Sequence, residues 1–121
     1  MKKEKFQVFT EYDCPLDIYT ITVVDDFEFD KSLELSDGVI LDFDKKGVPI
    51  SIEILDISKK LGISKGEISS AKTYMEIICT SDILKVEIRF YYKVNEKDFE
   101  KAFNSKLANN FNIPPIEMIT A

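Results

Sequence analysis

The sequence predicts an α+β fold built from antiparallel β-hairpins, a short helical connector and a C-terminal helix packed on the sheet. Three observations support this prediction. Sixteen isoleucines and nine phenylalanines, against four glycines and four prolines, favour β structure. Several segments alternate apolar and polar residues with the period of a strand. The segment 96–111 instead has apolar residues at helical spacing.

Five strands are predicted in the first half of the chain, at residues 6–12, 18–24, 31–35, 39–43 and 48–54. The first two form a hairpin, because turn residues separate them. The last two form a second hairpin around the loop 44–47. If Phe43 paired with Val48, the alternating apolar residues of both strands would lie on one face of the hairpin. Gly47 could then adopt positive φ at little cost in the loop.

A helical connector follows the second hairpin. Asp56 has the residue type of an N-cap for a short helix at 57–61, and Gly62 would end that helix. Ser64 and Glu67 have the spacing of a capping box, which predicts a second helical turn.

The rest of the chain predicts a third hairpin and a final helix. Residues 73–79 and 83–94 alternate strongly, so both are expected to be strands. Asn95 would cap a helix over 96–111, whose apolar stripe would cover the sheet and consists of Phe99, Ala102, Phe103, Leu107 and Phe111. The tail at 116–120 is expected to add a short edge strand.

The composition limits the function classes. The chain contains no histidine, which removes the commonest general base and the usual catalytic zinc ligand. Cys14 and Cys79 are far apart and have no metal-ligand spacing, and the N-terminal sequence lacks the apolar run of a signal peptide. We therefore expect a cytoplasmic protein that is not an enzyme and has no cofactor and no membrane association.

The charge is negative and uneven. The net charge is −6, carried by residues 1–62, which contain fourteen acidic residues and eight lysines. Residues 63–121 contain eight residues of each sign, and Arg89 is the only arginine. Because nucleic-acid readers concentrate basic charge on one face, the composition disfavours a nucleic-acid partner.

A family resemblance begins at Tyr12 and extends to about residue 62. The matching residues are Tyr12-Asp13, Asp17, Tyr19, Asp37-Gly38-Val39, Leu41-Asp42, Asp44, Gly47, Ile52-Glu53-Ile54-Leu55-Asp56 and Ser58-Lys59. This stretch resembles domain of unknown function family 2283, a small prokaryotic family. The resemblance implies a strand-rich module followed by a helix, and it implies no activity. Members of that family can occur beside small toxin-like proteins, which suggests an antitoxin-like role by association.

The resemblance divides the chain into two parts. Residues 1–62 are predicted to be a family-like β-rich module, and residues 63–121 a hairpin-plus-helix extension. We expect the two parts to form one compact domain together.

Two motifs suggest more specific functions. Asp42, Asp44, Gly47 and Glu53 have calcium-loop spacing, but Lys46 occupies a position where an oxygen ligand belongs, and a hairpin explains the glycine without an ion. Residues 57–72 resemble a helix-turn-helix, although Gly66 would weaken the recognition helix. A DNA-associated regulator is the alternative function, and a calcium-binding hairpin is the weaker one.

The leading hypothesis is a protein-interaction module that acts through an acidic β-rich surface. Its candidate interaction residues are Asp25, Asp26, Glu28 and Asp30. A basic or toxin-like protein would be the partner. Because a β-rich module leaves unpaired strand edges, in particular along 83–94, we also expect self-association as a homodimer.

Overall fold

Two five-stranded β-sheets account for most of the residues that the structure, a computed structural model, describes, namely 3–120. Their strands, in chain order, are β1 (Lys3–Phe6), β2 (Val8–Asp13), β3 (Ile18–Val23), β4 (Phe29–Ser36), β5 (Val39–Asp44), β6 (Pro49–Leu55), β7 (Lys72–Cys79), β8 (Ile83–Val94), β9 (Lys97–Ala108) and β10 (Ile116–Thr120). Two short helices, α1 (Ile57–Leu61) and α2 (Lys65–Ser70), connect β6 to β7.

The first sheet has the strand order β2-β3-β6-β5-β4, and the second sheet has the order β1-β10-β7-β8-β9. All pairings are antiparallel except that of β1 with β10. Only Gln7 separates β1 from β2, so the N-terminal segment contributes one strand to each sheet.

The two sheets pack face to face around one hydrophobic core. A single cluster of buried side chains joins residues of both sheets. Tyr19 of the first sheet contacts Phe90 of the second edge to face, with ring centroids 5.1 Å apart, and the Tyr19 hydroxyl lies 3.4 Å from the Thr73 hydroxyl. Each strand therefore has an inner face in this core and an outer face away from it.

The predicted α+β class is wrong, because the described chain is largely β. The error lies in residues 96–111, where the structure has no helix and places strand β9 at Lys97–Ala108. Asn95 and Glu96 have φ of 51° and 64° and form the two-residue turn between β8 and β9, which pairs Val94 with Lys97. Two successive residues with positive φ are typical of a type I′ hairpin turn and cannot begin a helix.

The hairpins and the connector are confirmed. β2 pairs with β3, β5 with β6, and β7 with β8, and both α1 and the capping box of α2 are present. Gly62 ends α1 with a φ of 69°. Asp56 occupies the N-cap position of α1, as predicted, but its side chain makes no capping hydrogen bond.

The register predicted for the second hairpin is wrong. Phe43 lies opposite Pro49, and beyond an irregularity at Asp42 the pairs are Leu41 with Ile52 and Val39 with Ile54. The irregularity acts as a β-bulge, which brings buried Pro49 to the same face as Ile52. The strand at 116–120 is also confirmed, but it lies between β1 and β7 and not at an edge.

Candidate functional site

A row of glutamates crosses the outer face of the first sheet. Residues directly opposite one another on neighbouring strands share a face of the sheet. The register aligns, from one edge of the sheet to the other, Glu11, Thr20, Glu53, Ile40 and Glu34. Their sequence neighbours Ile21, Ile52 and Leu41 are at most 1% exposed, which places the row on the outer face. The row therefore puts three carboxylates on the surface.

The spacing of this row follows from sheet geometry. Neighbouring strands lie about 4.8 Å apart, so carboxylates on every second strand are separated by about 10 Å. Glu11, Glu53 and Glu34 thus span the sheet at regular intervals. Their separation is comparable to the screening length of roughly 8 Å at physiological salt, so they repel one another only weakly.

Asp42 adds a fixed carboxylate to the same face. Its Oδ1 accepts a hydrogen bond from the Ser32 hydroxyl at 2.5 Å, and its Oδ2 accepts one from the Ser51 hydroxyl at 2.9 Å. These bonds hold the carboxylate between β4 and β6. With Asp13 at the end of β2, the outer face carries five acidic residues: Glu11, Asp13, Glu34, Asp42 and Glu53.

Basic residues are scarce on this face. Within the five strands of the first sheet, all of them described, Lys31 is the only basic residue. It lies opposite Phe43, which is 0% exposed, so its register position belongs to the inner face. Lys60 lies at one end of the sheet, where its ammonium group donates to the Leu55 carbonyl oxygen. We call the outer surface bearing the five acidic residues the acidic face.

The acidic run predicted as an interaction surface lies elsewhere. Asp25 and Asp26 are exposed in the loop between β3 and β4, and Asp30 is exposed near the start of β4. Glu28 forms an ion pair with Lys45 at 3.1 Å. A cavity of about 430 Å³ beside this loop is lined by acidic and basic residues together, among them Asp26, Glu28, Lys45 and Lys46. The charge of this run is therefore partly balanced by lysines.

The three calcium candidates do not converge. Asp44 is 5% exposed, and its Oδ1 accepts hydrogen bonds from the backbone N–H groups of Lys46 at 2.8 Å and Val48 at 2.9 Å. This carboxylate therefore shapes the hairpin loop. Asp42 and Glu53 lie on the acidic face, and the described residues contain no group of three or more potential metal ligands.

The helix-turn-helix candidate is a connector between the two sheets. α1 has five residues and α2 has six, and Ile57, Leu61 and Ile68 are buried in the core. Neither helix is long enough to present a recognition surface several turns in length. Within residues 3–120, no helix has the length and apolar character needed to cross a membrane.

A buried carboxylate network explains several of the family-like residues. Asp17 is 5% exposed and accepts hydrogen bonds from the Tyr12 hydroxyl at 2.6 Å and from the Ser58 hydroxyl at 2.6 Å. Burial raises the pKa of Asp17, but the hydrogen bonds from Ser58 and Tyr12 outweigh it and lower the pKa below 3.8. Burial and the bond to Asp17 raise the pKa of Tyr12. The network ties the first hairpin to α1 and has a structural role.

Sequence reasoning missed Glu11, considered Glu34 only together with the acidic run at 25–30, and considered Glu53 only as a metal ligand. The alternation of each strand already indicated which side chains point outward. The neighbours of each strand were unknown, however, because β3 pairs with β6, which lies about thirty residues further along the chain. Without that strand order, the row of glutamates could not be assembled.

The architecture defines a two-sheet β protein, and one comparison relates part of it to a family. Residues 10–58 match the model of a family described as Protein of unknown function (DUF2283). This confirms the resemblance read from the sequence, and the matched stretch runs from β2 into α1, so it covers most of β2 and the other four strands of the first sheet in full. The curated proteins contain no match to the chain, and neither do the solved structures.

Proposed function

We propose that the chain is a non-catalytic protein-interaction module whose acidic face binds a basic protein. The observation that carries the proposal is the arrangement of five acidic residues over all but one strand of the first sheet, on a face whose strands present no lysine or arginine. Charge complementarity of this kind steers association and suppresses wrong partners.

Apolar side chains between the acids add contact area. Phe9 is 52% exposed at the edge of the face, and Ile40 lies between Glu53 and Glu34. Interfaces combine such apolar contacts with charged groups around them. A partner would therefore present lysines or arginines about 10 Å apart, the spacing of alternate strands, with apolar side chains between them.

The partner class follows from this chemistry. A small basic protein fits the face, and a toxin-like protein is one such partner, which would give this chain an antitoxin-like role. The carboxylates are distributed over an open sheet face, which supports binding and not acid–base catalysis.

The test compares two variants that each lose three negative charges. The first is Glu11→Gln/Glu34→Gln/Glu53→Gln, which changes the acidic face. The matched control is Asp25→Asn/Asp26→Asn/Glu28→Gln, which changes the loop before β4. The probe is a short fluorescent oligolysine peptide, whose affinity is measured by anisotropy and whose contact site is mapped by backbone amide shifts.

The first variant should bind the peptide about tenfold more weakly than the parent, and the control within about threefold of it. Amide shifts in the parent should concentrate in β2, β5 and β6 and around Glu34 of β4. Equal losses in the two variants, or shifts concentrated around residues 25–30, would show that net charge and not the acidic face attracts the peptide.

A further inference from the structure

We propose that two copies of this chain associate through strand β9, which pairs antiparallel with its own copy across a two-fold axis at Ala102. The second sheets of the two copies would then form one continuous ten-stranded sheet. This surface belongs to the second sheet and is independent of the acidic face.

β9 is one of the two edge strands of the second sheet, and one of its sides carries backbone groups that no neighbouring strand pairs. The edge expected along 83–94 is not open, because β8 lies between β7 and β9. β9 has 12 residues, and every one of them from Lys97 to Ala102 is exposed. The turn at Asn95 and Glu96 makes Val94 and Lys97 a hydrogen-bonded pair, so alternate residues of β9 direct their N–H and C=O groups towards β8. The residues between them direct these groups outward: Asp98, Glu100, Ala102, Asn104 and Lys106.

The other edges are less suited to strand addition. β4 has register irregularities between Phe29 and Lys31 and between Glu34 and Ser36, and such bulges protect an edge. β1 has four residues and β2 has six. The pairing of β9 with β8, by contrast, runs from Lys97 to Ala108 without a shift. β9 also contains no proline.

The sequence of β9 is complementary to itself when the two-fold axis lies at Ala102. A two-fold axis at Ala102 pairs Asp98 with Lys106, Glu100 with Asn104, and Ala102 with its own copy. Opposite charges then meet at both ends of the pairing, which stabilises it. An axis at Glu100 or at Lys101 would instead oppose two like charges, and directly opposed like charges are destabilising.

Aromatic side chains on the other face of β9 would become less exposed to solvent in this register. Phe99, which is 45% exposed and stacks on Tyr92 with ring centroids 5.8 Å apart, would lie opposite Ser105 of the second copy. Lys101 would lie opposite Phe103, where its aliphatic stem can cover the ring. The self-pairing therefore combines backbone hydrogen bonds with burial of apolar surface.

The experiment measures the dimer dissociation constant by sedimentation equilibrium. The parent should form a species of twice 13.9 kDa at micromolar concentration. Lys106→Glu should weaken the dimer by roughly tenfold, because it turns both symmetric Asp98–Lys106 pairs into repulsive ones. The double variant Asp98→Lys/Lys106→Glu restores opposite charges and should recover the parent affinity.

A backbone test accompanies the charge test. Ala102→Pro removes an outward N–H and leaves the pairing with β8 intact, so it should abolish the dimer, whereas Ala102→Ser should retain it. Circular dichroism checks that each variant is folded. A parent that remains at 13.9 kDa at high micromolar concentration, or a double variant that stays as weak as Lys106→Glu, would overturn the proposal.

Discussion

Asp17 caps helix α1 through Ser58, although 41 residues separate the two in the sequence. The Ser58 backbone N–H donates to Oδ1 of Asp17 at 3.2 Å, and the Ser58 hydroxyl donates to Oδ2 at 2.6 Å. Asp56, the residue in the N-cap position, has a φ of 55° and makes no side-chain capping bond. The carboxylate that satisfies the first turn of α1 therefore comes from the first hairpin and locks the helix to the first sheet.

Asp17→Asn should destabilise the protein by about 2 kcal/mol at neutral pH, because the hydrogen bonds to Asp17 involve a charged acceptor. The pKa of Asp17 is lowered in the folded state, so the folded protein favours the ionised carboxylate. The stabilisation is complete above the ordinary pKa of 3.8 and is lost as the pH falls through the lowered folded value.

Urea denaturation at a series of pH values measures this effect. The parent should lose stability below about pH 4, and Asp17→Asn should show a smaller loss over the same range. Asp25→Asn removes an exposed carboxylate and serves as the control, with an expected change within about 0.5 kcal/mol. A parallel pH dependence in the parent and in Asp17→Asn would contradict the capping role.

Two glycines with positive φ allow the stability cost of backbone strain to be measured apart from that of a steric clash. A Cβ added at Gly62, which has a φ of 69°, would meet no atom of the described residues within 4 Å. A Cβ at Gly47, which has a φ of 80°, would lie 2.5 Å from Cδ of Pro114. Gly62→Ala should cost about 1 kcal/mol from strain alone. Gly47→Ala should cost about 2–3 kcal/mol, because the contact with Pro114 adds to the strain.

Thermal or denaturant unfolding of both variants measures the difference between the two glycines. In a Pro114→Ala background, Gly47→Ala should destabilise the protein less than it does in the parent, because the clashing ring is absent. Equal costs at the two positions would mean that the hairpin loop 44–47 does not pack on Pro114.

The two cysteines should differ strongly in reactivity. Cys79 is 0% exposed, and burial raises the pKa of its thiol, so the reactive thiolate is disfavoured. Cys14 is exposed in the turn between β2 and β3. A thiol reagent followed by absorbance should label one cysteine rapidly and the second only on unfolding. Cys14→Ser should remove the fast phase, and fast labelling in that variant would show that β7 is open to solvent.

The sequence predicted correctly those elements whose residue pattern fits only one type of secondary structure. The long alternation of β8 and the Ser64–Glu67 capping box both describe local structure, and both are present. The apolar residues Phe99, Phe103 and Leu107 are four positions apart, and this spacing suits one face of a helix and also alternate positions of a strand. Lys101 and Ser105 lie between them on the same face of β9 and hide the strand period. Local pattern could not decide between these two structures.

The acidic face could not be predicted for a different reason. Each glutamate is visible as an outward residue of its own strand, but their alignment depends on which strands are neighbours. The pairing of β3 with β6 brings Glu53 beside Thr20, and it joins segments separated by two other strands. Such long-range pairing is determined by packing of the whole core and not by the composition of a single segment.

Glu96→Gly tests the corrected element directly. Glu96 has a φ of 64° in the turn between β8 and β9, a conformation that costs a residue with a side chain about 1 kcal/mol and costs glycine almost nothing. Glycine is also the preferred second residue after asparagine in a type I′ turn. We therefore expect Glu96→Gly to stabilise the protein by about 0.5–1 kcal/mol, after allowing for the greater freedom of glycine in the unfolded chain. In a helix over 96–111 the same substitution would reduce stability, because glycine is a poor helix former.

Lys97→Gly is the matched control, since it places glycine in β9, where it should destabilise the strand by about 0.5–1 kcal/mol. A lower denaturation midpoint for Glu96→Gly would argue for the helix, whereas a higher midpoint together with a lower one for Lys97→Gly is the result that only the hairpin explains.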